Sequence, residues 1–319
     1  MSLIIKKPGV LTSVQDLGRV GFRSLGINPN GVMDVAAARL VNIVLGNHDA
    51  TAVLEFHFPG PEIEFDSDTT IAIGGGDFGA LLDKTELQNF SSSSAKKGSI
   101  LKFAKPRSGF RGYLAVEGGM QIKQWLGSSS TNLAAGVGGF SERKLIAGDL
   151  IPCATSDTST ELKIGRSAIP RYSREPTIRV VAGNEFETMT ATAERTFQSE
   201  QFALTSDCDR MGYRLAGKPM HLLHDLQLLS SAVTFGTIQL LPDGQLIILM
   251  ADHQTSGGYP RLGNVISADL PLLAQCGPGD KVRFSIVSID EAEHLLLQFE
   301  KELNFLRMGC KFRGRNANY

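Results

Sequence analysis

Residues 251–260 read A-D-H-Q-T-S-G-G-Y-P and follow the apolar run L-I-I-L-M at 246–250. A strand that ends in Asp252, His253, Gln254 and Thr255 delivers a carboxylate, an imidazole, a carboxamide and a hydroxyl to one loop. Such a set can donate, accept and relay protons around a small polar ligand. Gly257 and Gly258 let the backbone approach that ligand closely, and Tyr259-Pro260 stiffens the exit. Loops held by a rigid sheet are where sites concentrate. The competing reading is a structural turn whose side chains bond one another. His253 is the histidine inside this cluster and the first to test for proton chemistry.

Other stretches are weaker. G-G-G-D-F-G at 74–79, with Asp77, takes the corresponding place in the first half of the chain. It is neither a P-loop nor a dinucleotide fingerprint, and alone it predicts a β-turn. L-G-S-S-S-T at 126–131 offers amides and hydroxyls, among them Ser128 and Thr131, that could hold an oxyanion or simply form a polar loop. No G-x-S-x-G elbow occurs, which argues against a serine hydrolase. His221 and His224 form a helix-face or loop pair more readily than a metal site. The sequence leaves open whether a metal binds.

Many short apolar runs bounded by Gly, Pro, Asp or Ser predict strands at 2–6, 52–57, 61–65, 69–73, 99–103, 111–117, 176–182, 237–241, 245–250 and 280–287. That pattern suits barrels or sandwiches rather than a parallel doubly wound sheet. A helix is expected over 34–45, with Asp34 as N-cap and Gly46 as stop. A second is expected from about Asp290 to Met308, where Leu295, Leu296, Phe299, Leu303 and Leu306 make an apolar stripe. The basic stretch beyond it predicts a frayed tail. The polar residues 153–175 read as a linker.

The chain also echoes itself. Asp16, Arg19, Gly21, Phe22 and Arg23 have the same spacing as Asp207, Arg210, Gly212, Tyr213 and Arg214. F-P-G-P-E-I-E-F at 58–65 resembles T-F-G-T-I-Q-L at 234–240, and K-G-S-I-L-K-F at 97–103 resembles P-G-D-K-V-R-F at 278–284. Collinear matches predict a duplication. The repeated Asp and Arg residues could form buried ion pairs that set geometry, or could grip a carboxylate or phosphate.

Composition excludes several classes. The 319 residues are 42% hydrophobic and 20% charged, with a net charge of −1. That is a folded chain long enough for two domains, without the basic field of a nucleic-acid binder. No apolar run approaches membrane-span length and no signal peptide is visible, so a cytoplasmic protein away from membranes is expected. Cys153, Cys208, Cys276 and Cys310 are scattered and read as reduced thiols.

Seven motifs carry a family resemblance. They are V-Q-D-L-G-R-x-G from Val14, G-V-M-D-x-x-A-x-R-x-x-N from Gly31, which includes Arg39, Y-L-A-V-x-G-G from Tyr113, L-G-S-x-S-T from Leu126, R-M-G-Y-R-L-x-G from Arg210, G-x-I-Q ending at Gln239, and Q-T-x-G-G-Y-P from Gln254. Together they resemble the allophanate hydrolase subunit 2 family, also called biotin-dependent carboxyltransferase-like or KipA-type, which includes the C-type component of 5-oxoprolinase. The resemblance implies a mainly β chain with a few helices, built as two tandem homologous cyclophilin-like β-barrel domains. On that basis residues 1–170 and 176–289 are the barrels and 290–319 a C-terminal helix and tail. It implies an ATP-dependent hydrolase component that, with a KipI-type subunit and a third subunit, cleaves 5-oxo-L-proline to L-glutamate, using ATP with Mg²⁺ as co-substrate. No lysine stands in an M-K-M setting, so no biotin is expected on this chain.

In that reading Asp252, Gln254, Thr255 and Tyr259 are catalytic. Gly257, Gly258, His253, Arg210, Tyr213, Gln239, Ser128 and Thr131 bind substrate or nucleotide. Asp16, Arg19, Asp34, Arg39 and Asp77 are structural or binding. Ser129, His253 and Ser231 depart from the family pattern, which has Arg, Arg and Glu there, and this bears on anion recognition. The alternatives are a carboxyltransferase half related to urea amidolyase, and a non-enzymatic protein that sequesters a KipI-type kinase inhibitor.

Overall fold

The computed structural model describes residues 1–154, 161–224 and 226–316, with side chains through Phe312. The chain divides into two compact units. The first takes Met1–Arg19, Asp34–Arg171 and the chain from Glu300 onward; the second takes Val20–Met33 and Tyr172–Phe299. Residues 155–160, inside the expected linker, lie outside the described residues.

The first unit carries β1 (Ser2–Lys7), β2 (Thr12–Gln15), β3 (Val53–Phe56), β4 (Glu62–Phe65), β5 (Thr69–Asp77), β6 (Ala80–Leu82), β7 (Thr85–Glu86), β8 (Ser92–Ala95), β9 (Ile100–Phe103), β10 (Ser108–Val116) and β11 (Leu150–Pro152). They form two sheets, ordered β11-β1-β4-β9-β6-β7 and β2-β3-β10-β5-β8. Leu3, Ile5, Ile63, Phe65, Ile71, Ile73, Leu101, Leu114 and Val116 fill the core with an inward period of two.

Helix α1 (Val35–Val44) starts where Asp34 Oδ1 accepts the Ala37 amide at 2.8 Å. It stops before Gly46, whose φ of +71° is open to glycine without strain. This helix packs on β5 and β10. Its Arg39 makes a bidentate pair with Glu300 and a 2.9 Å bond to Asp49, which also takes the Arg307 guanidinium.

Residues 74–76 are strand, not the expected turn. A Cβ on Gly74 would lie 2.5 Å from Phe90 Cε1 and 2.6 Å from Val41 Cγ1. Glycine is there so that helix and ring can close on the sheet, a packing demand that a local turn rule cannot register.

The second unit carries β12 (Thr177–Ala182), β13 (Phe202–Cys208), β14 (Gly212–Ala216), β15 (Ser231–Ala232), β16 (Thr237–Leu240), β17 (Leu246–Leu249), β18 (Ser256–Gly257), β19 (Arg261–Val265) and β20 (Lys281–Ile286). Seven of them close a barrel in the order β12-β19-β16-β17-β14-β13-β20, sealed by the parallel β12–β20 pair, while β15 and β18 form a separate ribbon. Alternate residues point inward: Ile178 and Val180, Phe202 and Leu204, Tyr213 and Leu215, Ile238 and Leu240, Leu246 and Ile248, Val282 and Phe284.

Two helices escaped the sequence pattern because they are short: α2 (Ala191–Ser199), capped by Thr190, and α3 (Leu270–Ala274). Phe197 of α2 stacks on Phe284 of β20 with centroids 4.7 Å apart. Helix α4 (Ile289–Asn316) runs past Met308 through the stretch expected to fray. Residues 317–319 lie outside the described residues.

The two matched segments of the repeat are used differently. β16 and β17 pair as a hairpin, whereas β4 and β5 lie in different sheets. Cys153 and Cys276 are buried and Cys208 and Cys310 half-buried, and burial pushes the Cys153 thiol up to about 12. Among the described residues no helix is long and apolar enough to cross a membrane.

Gly74→Ala is expected to lower stability by about 1–3 kcal/mol through overpacking against Phe90 and Val41. A urea titration should show this as a lower midpoint at unchanged slope.

Candidate functional site

The loop after β17 is anchored from behind. Arg210 Nε donates to Asp252 Oδ2 at 2.9 Å and its terminal NH2 to Oδ1 at 2.8 Å. Asn30 Nδ2 donates to Oδ1 at 2.7 Å, and Asn28 Nδ2 donates to the Asp252 carbonyl at 2.9 Å. Arg210 also donates to the Gly31 carbonyl at 2.6 Å, and its own carbonyl accepts the Asp252 amide at 2.7 Å. Arg210 and Asp252 are each under a tenth exposed. The carboxylate is therefore occupied by three side-chain donors, and the segment 20–33 is fastened to the start of the loop. Asn28 and Asn30 were missed in the sequence; the turn-forming N-P-N-G at 28–31 was the visible signal.

His253 is buried beside this pair. Its Nδ1 lies 2.5 Å from the Gln254 carbonyl. A carbonyl only accepts, so Nδ1 carries the proton of the neutral ring. Burial pulls the imidazole below its ordinary value, with Arg23 adding to the effect and the Gln254 carbonyl and Asp252 opposing it.

Beyond His253 the chain turns outward. Gln254 is exposed and Tyr259 is 46% exposed. Both line a cleft of about 490 Å³ on the outer face of β14, β17 and β16. Alternation explains the rest of the lining: Gly212 and Arg214, Ile247 and Leu249, and Gln239 face out because their strand neighbours fill the barrel. Tyr213, expected to touch ligand, is one of those neighbours and is fully buried in the core. Ser206, Asp207 and Asp209 form the rim. Asp209 Oδ1 is taken by the amides of Met211 and Gly212, and Arg214 is paired with Asp243.

The ribbon of β15 and β18 roofs one end. Gly257 pairs with Ser231, and the Thr255 carbonyl accepts the Val233 amide. Arg261 is held by both oxygens of Glu185 and donates to Ser231 Oγ at 2.7 Å. Gly258 and Tyr259 also border a second cleft, of about 550 Å³.

The remaining candidates sit in the first unit. Asp16 Oδ1 accepts Ser128 Oγ and Ser130 Oγ, each at 2.6 Å, and the Gly18 amide; Oδ2 accepts the Ser129 amide. Thr131 Oγ1 donates to the Val14 carbonyl. Arg19 donates to the Ser130 carbonyl at 2.5 Å and lies over the Trp125 ring. Ser128, Ser130 and Thr131 have no exposed surface, so their hydroxyls are spent on the fold. Asp34 caps α1, Arg39 joins Glu300 and Asp49, and Asp77 accepts the Gly79 amide.

Chemically, the cleft joins an apolar floor to two carboxamides and a phenol, a lining suited to a small amide or carboxylate. The guanidinium in its lining, Arg214, already carries a counter-ion. Among the described residues no group of three or more His, Cys, Asp or Glu side chains is arranged to hold a metal ion.

A two-unit β chain with this loop signature is what one family model describes. Residues 25–286 match the carboxyltransferase domain, subdomain A and B, and the chain belongs to that family. It is 38% identical over 295 residues to the 5-oxoprolinase C subunit of Haemophilus influenzae, covering 92% of this chain and 94% of that protein. The protein of the same name from Escherichia coli is 36% identical over 290 residues, covering 91% and 93%. The crystal structure of the K. lactis urea amidolyase matches with a TM-score of 0.90 at 26% identity, covering 96% of this chain and 20% of that one. The chain thus spans about a fifth of that protein's length.

Asp252→Ala strands a buried guanidinium and should cost about 3–5 kcal/mol, whereas Asn30→Ala takes a neutral donor from that carboxylate and should cost about 1–3 kcal/mol. Chemical denaturation of both variants checks the order. The His253 imidazole titrates lower folded than unfolded, so the unfolded chain binds more protons just below pH ~6.5 and stability falls there as pH drops. Its contribution is complete above that pH. His253→Gln should flatten the decline between about pH 6.5 and 5, above the range where carboxylates titrate.

Proposed function

We propose that this chain is the C-type component of an ATP-dependent 5-oxoprolinase, and that it contributes part of the site where 5-oxo-L-proline is opened to L-glutamate. The observation that carries this reading is the two-way coverage above nine-tenths with the 5-oxoprolinase C subunit of Haemophilus influenzae. The outer-face cleft supports it. A five-membered lactam acid offers an apolar edge for Ile247 and Leu249, and acceptor oxygens for Gln239, Gln254 and Tyr259.

A lactam is a poor electrophile, because nitrogen delocalises its lone pair into the carbonyl. ATP, with Mg²⁺, would supply a phosphoryl group to the lactam oxygen and release ADP; one water would then add at that carbon and break the C–N bond, freeing the amine, and a second would release phosphate from the acyl phosphate to leave the carboxylate. This chain's residues orient the ring, keep its apolar edge dry and direct the carbonyl oxygen. Arg214 and its partner Asp243 leave little free positive charge for a triphosphate, so in this reading a KipI-type subunit and a third subunit bring the nucleotide site. The assembly works in the cytoplasm and needs no biotin on this chain. The likeness to urea amidolyase favours one other reading, a carboxyltransferase half acting on urea or allophanate.

The test is reconstitution. Co-purified with its two partner subunits, the chain should support 5-oxoproline-dependent release of ADP and glutamate that the partners alone do not show. Full activity from the partners alone would overturn the proposal and favour a sequestering role. Activity that requires urea and a biotinylated carrier would assign the chain to the carboxyltransferase class.

A further inference from the structure

Gln239 is placed unusually for a polar residue of the barrel. Its neighbours Ile238 and Leu240 fill the core, so its side chain leaves the outer face of β16. An outward carboxamide on a seven-stranded barrel would ordinarily meet water. Gln239 is instead 1% exposed, and its Nε2 is buried with no hydrogen-bond partner among the described residues. A buried amide N–H left without an acceptor is costly, so such a group needs an explanation. Directly against it lies the ribbon glycine: a Cβ on Gly257 would come within 2.7 Å of Gln239 Nε2. The same side chain lines the cleft with Ile247, Leu249, Gln254 and Tyr259.

We infer that Gln239 Nε2 is the donor of a binding subsite for one sp² oxygen of a small, largely apolar ligand, and that the lack of a Cβ at Gly257 leaves Nε2 the room to turn to it. This deepens the reading of the cleft as a lactam site and rests on it for the identity of the ligand. Nε2 carries two N–H bonds and no lone pair to offer, so it selects an acceptor. It is uncharged and stands over apolar side chains, so it favours an amide carbonyl over a phosphate, whose charge would meet only a guanidinium already neutralised by Asp243. The cleft is of a size usual for small-molecule sites. The ligand class is therefore a compact cyclic or planar amide, bound with its carbonyl under the ribbon. Gln254 and Tyr259, both exposed, can meet its other polar groups.

The test uses the full chain and the complex co-purified with its partner subunits. Calorimetry compares 5-oxo-L-proline, 2-pyrrolidinone, L-proline and inorganic phosphate on wild type, Gln239→Glu, Gln239→Leu and Gly257→Ala. Gln239→Glu keeps the shape but replaces the donor with an acceptor. It should weaken binding of both lactams by about tenfold or more, the worth of a good hydrogen bond, and lower the melting temperature by burying a carboxylate; Gln239→Leu, which removes the donor without adding a charge, should weaken them equally with an unchanged melting temperature. In the complex it should raise KM more than it lowers kcat. Gly257→Ala, which presses a methyl on Nε2, should weaken the lactams in the same order. L-Proline, which has no lactam carbonyl, should bind no better to wild type than to Gln239→Glu.

Lactam affinity unchanged in Gln239→Glu and Gly257→Ala overturns the subsite, as does phosphate binding that depends on Gln239 while lactam binding does not. Absence of lactam binding to both chain and complex overturns it too. Gln239-dependent binding of 2-pyrrolidinone without hydrolysis of 5-oxo-L-proline by the complex leaves the subsite standing and removes the 5-oxoprolinase reading.

Discussion

The bidentate contact between Arg210 and Asp252 holds the second unit's functional face in place. Both charges are withdrawn from water, a state that is tolerable only when geometry is good and spare lone pairs are filled. Asn30 and the Gly31 carbonyl do the filling. One pair therefore sets three things: the turn between β13 and β14, the path of residues 20–33 within this unit, and the point where the chain leaves β17. From that point Gln254 and Tyr259 emerge onto the outer face. A loop with two successive glycines would otherwise have many conformations, so the rigidity of the cleft is borrowed from the ion pair behind it.

The same Asp-x-x-Arg spacing is put to another use in the first unit. Asp16 gathers two serine hydroxyls and two amides, and Arg19 donates to the Ser130 carbonyl. Hydroxyls and amides are neutral, so this carboxylate is stabilised by hydrogen bonds where Asp252 has a full counter-charge. In the second unit only the signature's Arg210 enters the buried tie, its partner being Asp252, while the signature's Asp207 is exposed on the rim of the cleft. A duplicated sequence had offered these residues for geometry first, or for gripping anions. In the first unit Asp16 and Arg19 are buried, and the hydroxyls of Ser128, Ser130 and Thr131 around them do not reach the surface.

The face available for chemistry is the outside of the barrel. Its inside is filled by alternating apolar residues, with Tyr213 among them. The cleft is built from the complementary set, the residues one step out of phase, and roofed by the short ribbon. A one-residue shift in register would exchange the two sets, so the closed barrel with its fixed register is what keeps Gln239 outside and Tyr213 in.

Much was written in the sequence itself. Asp34 and Gly46 delimit α1, apolar spacing announces α4, alternation marks strands, and the position of 251–260 after an apolar run already shows a polar loop at a strand's end. These are local rules of period and capping, and a local window can express them. Partnership cannot be read that way. Asp252 and Asn30 lie 222 residues apart, and nothing near either predicts the other. Gly74 looked like a turn until the ring of Phe90 and the side chain of Val41 were seen against it. Tyr213 and Gln239 each sit in a strand with both faces open in the sequence, and only closure of the barrel and the ribbon above it chose core for one and cleft for the other. Sequence alone determined which groups could do chemistry; tertiary structure decided which were consumed in holding the fold, because burial and long-range pairing are properties of the folded chain's path.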